Sequence, residues 1–147
     1  MNIEEITRDI IDEFGTSDPF ELAERLNITI VCKPLGSVNG FYINSDGVKI
    51  VNVNNVLEHK RKKLTIAHEL GHAILHPNMN TPFMREHTFF SINKFEIEAN
   101  TFAAHLLIPE NELREYQLER YTTQQIAGIY HLPEELVNLR IYGTMSL

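Results

Sequence analysis

The stretch that decides how this chain reads is Leu64-Thr65-Ile66-Ala67-His68-Glu69-Leu70-Gly71-His72. Leu64, Ala67, Leu70, Ala73 and Ile74 recur at three- and four-residue steps, so the segment is predicted to be an amphipathic helix with one face in a core. Residues four apart on a helix lie one turn apart on the same face, which lets the imidazoles of His68 and His72 converge on one metal ion. Glu69 is rotated off that line. A carboxylate there is poorly placed to ligate but well placed to hold a water and take its proton. Gly71 lies mid-helix at a cost of roughly 1 kcal/mol relative to alanine, which is easier to understand if backbone or metal chemistry approaches closely there. The pattern H-E-x-x-H fixes only three residues, and a surface helix that happens to carry two histidines is the competing reading.

A catalytic zinc takes three protein ligands and keeps one position for water, so a third ligand is expected downstream. Phe95 to Ala104 read as a second helix, running from about Asn93 to Leu107 and stopping before Pro109. Glu96 lies 24 residues past His72, room enough for a loop and a returning helix. Glu96 and Asn100 are four apart, so Glu96 could ligate while Asn100 orients a histidine from behind. Glu98 points elsewhere on that helix. The alternative makes Glu96 structural, as the partner of Asn93 in a helix-capping pair.

Pro77 ends the first helix at His76. A third ligand at His76 is unfavourable, because histidines at i, i+4 and i+8 span about 12 Å along a helix while a Zn–N bond is about 2 Å. His76 is therefore expected to support a ligand or to cap the helix. The candidates for stabilising charge in a transition state are Tyr42, His105 and His87, the last in a loop from Asn78 to Thr88 beside the motif.

His68-Glu69-Leu70-Gly71-His72-Ala73-Ile74-Leu75-His76, together with Glu96-Ile97-Glu98-Ala99-Asn100-Thr101-Phe102-Ala103-Ala104-His105-Leu106-Leu107-Ile108-Pro109, resembles the ImmA/IrrE family of metallopeptidases. The two motifs together are far more specific than either alone, and looser similarity extends upstream through Gly40 to Ile43 and Ile50 to Asn52. The resemblance implies that His68, His72 and Glu96 bind one zinc ion and that Glu69 is the catalytic base; the sequence itself does not distinguish zinc from manganese. The resemblance implies a zincin-like fold. It also implies a biological role, which is to cleave, or relieve the action of, helix-turn-helix repressors that govern prophages, mobile elements or stress genes.

With 147 residues, 43% of them hydrophobic and 22% charged, the chain is expected to form one domain, residues 1–147, with a real core. A net charge of −7 argues against tight non-specific binding to nucleic acid. The single cysteine, Cys32, excludes an intramolecular disulfide framework and, within the apolar run from Ile28, is expected to be a small buried hydrophobe. Neither a signal peptide nor a membrane-spanning run is present in the sequence, so a cytoplasmic location is expected.

In chain order, two amphipathic helices are predicted first, one from Ile3 that ends at Gly15 and one capped by Asp18-Pro19. Ile28 to Lys33, Phe41 to Ile43 and Val48 to Val53 read as three strands, with Asp46-Gly47 as a hairpin turn. The fold class is thus α+β: an about three-stranded, mostly antiparallel sheet packed on a helical bundle. The third strand, if at the sheet edge, could pair with an extended substrate; an ordinary core strand is the equal alternative. Glu58 to Lys63 form a basic run leading into the motif helix, read as a solvated face.

A helix-turn-helix outline spans residues 122–141, with Thr122 and Gln125 as a capping box. Its second helix begins Pro133-Glu134-Glu135, and two carboxylates where phosphates would be met repel DNA. Direct DNA binding is therefore the weakest of three readings. The leading one is a zinc metallopeptidase acting on a helix-turn-helix repressor, and the second is a non-catalytic anti-repressor around a structural metal.

Overall fold

The computed structural model describes residues 1–82 and 92–143. Helix α1 (Ile3–Phe14) is capped at its start by the Asn2 side chain and stopped by Gly15 in the left-handed conformation. Helix α2 (Pro19–Arg25) follows the Asp18 cap, whose carboxylate accepts from the Phe20 amide. Three strands come next: β1 (Thr29–Lys33), β2 (Gly40–Ser45) and β3 (Val48–Asn54). Asp46 and Gly47 both take positive φ, 51° and 86°, and close the β2–β3 hairpin between Ser45 and Val48.

The sheet order is β1-β3-β2, with β3 antiparallel to β2 and parallel to β1. The α+β class with three strands is as expected, and the sheet is mixed. The substrate-edge idea for Val48 to Val53 is overturned, because β3 is the central strand with a neighbour on each side. The two edges belong to β1 and β2, and Thr81 and Asn80 occupy part of the β2 edge: their side-chain oxygens accept from the Tyr42 and Asn44 amides at 2.9 and 3.0 Å. Cys32 also departs from expectation. It lies exposed near the end of β1, an outer strand in which every residue is half-buried or exposed.

Between β1 and β2 the chain must pass over β3, and buried Asn54 holds that crossover in place. Its Nδ2 donates to the carbonyls of Gly36 and Val38, each at 2.9 Å. The far end of the same crossover, Val38 to Gly40, lies against helix α3 (His59–Leu75). Helix α4 (Ile92–Leu107) returns across α3. It includes Asn93 within its span, so that residue does not precede the helix as the proposed cap.

Ile66, Ala67, Leu70 and Ala73 of α3 meet Ala99, Phe102, Ala103 and Leu106 of α4, all at most 1% exposed. Truncating Leu70 or Phe102 to alanine here would cost roughly 3–5 kcal/mol. The crossing is tight at one point. A methyl group on Gly71 would stand 3.0 Å from both the Cα and the carbonyl oxygen of Ala99, so glycine is what lets the helices meet.

Helices α5 (Glu110–Leu118), α6 (Thr123–Tyr130) and α7 (Glu134–Tyr142) complete the fold around a smaller core of Ile108, Leu113, Ile126, Ala127 and Val137. The Thr122–Gln125 capping box forms. Helix α7 packs on both α6 and α4. The first turn of α3 is unusual. Lys60, Arg61 and Lys62 sit where the helix dipole disfavours cations, by about 0.3–1 kcal/mol each, and no acidic residue shares that turn.

Candidate metal centre

Helices α3 and α4 bring His68, His72 and Glu96 together, with one ligand-type atom from each lying within 4.8 Å of the others. Glu96 Oε2 is 3.1 Å from His68 Nε2, and Oε1 is 2.9 Å from His72 Nε2. Adjacent ligands of a tetrahedral zinc are about 3.3 Å apart at bonds near 2.05 Å, so these separations need only a small adjustment to surround an ion.

The hydrogen-bond partners behind the rings set which nitrogen faces the site. His68 Nδ1 is 2.7 Å from Asn100 Oδ1, an acceptor, so Nδ1–H donates and Nε2 presents its lone pair toward Glu96. Behind His72 stands a longer chain. Glu98 Oε1 accepts from His76 Nε2 at 3.0 Å, which leaves His76 Nδ1 to accept from His72 Nδ1 at 3.1 Å. His72 Nε2 then also presents a lone pair toward Glu96. Two lone pairs beside a carboxylate repel unless a cation lies among them, and a divalent metal with N, N, O ligands meets that demand. The residues therefore fit a metal ion.

Proton affinities follow the same geometry. Burial disfavours protonation of His68, but the hydrogen bond that a protonated Nε2 donates to Glu96 and the charges of Glu69 and Glu96, with Asn100 adding to them, outweigh it and raise its pKa. His76 goes the other way: burial, reinforced by His72, lowers its pKa despite Glu98. A neutral His76 is what the chain from Glu98 to His72 requires. The Phe95 ring stands edge-on to His76 at 4.7 Å and helps seal it.

Glu69 is 2% exposed, and its Oε1 is 4.0 Å from His68 Nε2. His68, Glu69 and Asn100 line a cleft of about 680 Å³. Other walls come from Val38, Asn39 and Gly40 of the crossover, from Arg61 and Leu64 of α3, and from His131 to Pro133 with Glu135 and Leu136. The helix-turn-helix outline thus contributes its turn to the cleft.

The remaining candidates lie elsewhere. Tyr42 is fully buried, and its hydroxyl donates to the Pro77 carbonyl at 2.6 Å. His105 lines a separate cavity with Arg8 and Arg140, where burial and those two cations lower its pKa to about 4. His87 lies outside the described residues. Sequence reasoning misses two residues near the site: Glu98, which points away from Glu96 on its own helix, and His131. The latter caps α6 in the left-handed conformation at φ 57°, where glycine is the usual occupant. No spacing announces either role, since both depend on which element packs alongside.

A peptidase family model described as the IrrE N-terminal-like domain matches residues 23–142. The chain belongs to the ImmA/IrrE family. This ImmA/IrrE protein is 40% identical over 132 residues to the uncharacterized immunity region protein 2 of Bacillus phage phi105, covering 89% of this chain and 84% of that one. It is 26% identical over 136 residues to the metallopeptidase ImmA of Bacillus subtilis strain 168, covering 90% and 79%. Among solved structures, a Mycobacterium tuberculosis transcriptional regulator aligns with a TM-score of 0.63 at 18% identity, a likeness of fold. The match spans 95% of this chain but 46% of that one. No helix among the described residues is long and apolar enough to cross a membrane.

Proposed function

We propose that the protein is a zinc-dependent endopeptidase whose substrate is a helix-turn-helix repressor. The observation that carries the reading is the clustering of His68, His72 and Glu96, with His68 and Glu69 lining the adjoining cleft. Zinc held there supplies Lewis-acid chemistry, acidifying water and polarising a carbonyl. Glu69, buried and one residue from a ligand, takes the proton of the attacking water and returns it to the leaving amine. Asn100 and the His76–Glu98 pair hold the two imidazoles in the tautomer that offers Nε2. The cleft, at about 680 Å³, offers room for a short stretch of peptide. The phage relative's name, an immunity region protein, supports a repressor as the substrate.

Glu69→Gln tests the assignment. The variant is expected to keep one equivalent of zinc, measured by mass spectrometry of the metal, and to lose cleavage of a helix-turn-helix repressor that the wild-type protein cuts by about 10³-fold or more. A variant that still cuts refutes the base. One that no longer cuts yet still relieves repression would identify a binding anti-repressor instead.

A further inference from the structure

The basic run at the start of α3, Lys60 to Lys63, is not used by the peptidase chemistry. It runs against the helix dipole, because positive charge at a helix N-terminus is disfavoured and the one carboxylate there, N-cap Glu58, makes no side-chain capping hydrogen bond. None of these four residues takes part in an ion pair among the described residues. A further depression of about 180 Å³ is lined by Lys60 and Lys63 together with Leu64, Leu107, Ile129, Tyr130 and Leu132. Its floor is apolar, and Ile129 is 41% exposed. Glu112, a carboxylate on α5, is already engaged by the Tyr130 hydroxyl at 2.6 Å. Leu64 and Leu132 line both this depression and the catalytic cleft, and Arg61 continues the positive charge into the cleft.

From this geometry we infer that the depression is a docking site, separate from the metal centre, for a segment of the protein substrate that combines acidic and large aliphatic side chains. Lys60 and Lys63 meet the carboxylates while the apolar floor takes the aliphatic groups. Because the two surfaces share Leu64 and Leu132, a chain held in the depression runs on into the cleft. The occupant's being a substrate rests on the peptidase reading; the docking chemistry does not. A charge-dependent site on a protein of net charge −7 also discriminates, since most of the surface repels the same acidic segment.

The test uses Glu69→Gln protein, which needs no turnover, and four labelled probes followed by fluorescence anisotropy. They are a peptide of alternating glutamate and leucine pairs, the same peptide with lysine for glutamate, polyglutamate of equal length, and a random DNA duplex. The glutamate–leucine peptide should bind on the order of tenfold tighter than each of the others and weaken with salt. NMR shifts should centre on Leu107, Ile129 and Leu132. A Lys60→Glu/Lys63→Glu variant should lose on the order of tenfold in affinity while melting no lower, because the Lys60 change places a carboxylate where the helix dipole favours it. Equal binding by polyglutamate or DNA, shifts centred elsewhere, an unaffected double variant or no binding at all would each overturn the docking site. Failure of the wild-type protein to cut any peptide would count against the peptidase reading alone.

Discussion

The two ends of helix α3 follow opposite rules. In the C-terminal half, His72 is fully buried and His68, His72 and His76 each have a partner for both ring nitrogens, one from this helix or from α4. In the N-terminal turn, Lys60 and Arg61 are exposed against an unfavourable dipole, while His59 stacks on Phe20 at 5.6 Å. One helix therefore combines a segment in which nearly every polar atom is committed with one whose basic side chains make no ion pair among the described residues. Local strain concentrated at one end, with consistency at the other, is the pattern expected when the strained end serves binding.

The sharpest way to break the committed end is Gly71→Ala. The added methyl meets the Ala99 backbone, which cannot step aside as a side chain could, so about 2–3 kcal/mol of stability should be lost, read by thermal or denaturant unfolding. An unchanged melting curve would mean that the two helices slide freely at their crossing. Next in size is Glu98→Ala. It leaves the three proposed ligands untouched yet should weaken zinc binding about 10–100-fold, measured by competition with a chelator. His76→Ala should do the same, and the double variant should cost little more than either alone, because both residues act through His72. Additive losses would show that the chain from Glu98 to His72 does not act as a unit.

Smaller effects probe the other side of the contrast. His131→Gly relieves a left-handed non-glycine position at the cleft wall and should raise stability by roughly 0.5–1 kcal/mol, read as a higher denaturation midpoint. Lys60→Glu should add about 0.3–1 kcal/mol through the helix dipole without altering zinc affinity. A lower melting temperature for Lys60→Glu would indicate that the charge already has a stabilising role within the chain.

Much of this arrangement is legible in the sequence because it is local. Gly15, Asp18-Pro19, Asp46-Gly47 and the Thr122–Gln125 box each announce a cap or turn through neighbours a few residues away, and all form as expected. The motif histidines and Glu96 are legible through helical spacing together with the paired motifs. What escapes depends on long-range packing. Strand order is invisible to a two-residue alternation, so neither the central position of β3 nor the exposure of Cys32 can be read from it. Glu98 faces away from Glu96 on its own helix, but His76 lies one turn beyond His72 and meets it there. Gly71 is the intermediate case: its cost signals a close neighbour, and only the fold names that neighbour as Ala99.

The cleft draws its walls from Val38 near one end of the sequence and Leu136 near the other. During synthesis the histidines of α3 leave the ribosome well before the turn that finishes the groove, and α7 must dock on α4 before that turn is held. A nascent chain can thus bring His68, His72 and Glu96 together while the cleft is still missing a side. For the proposed peptidase, this ordering would keep the half-made protein from acting on the polypeptides around it.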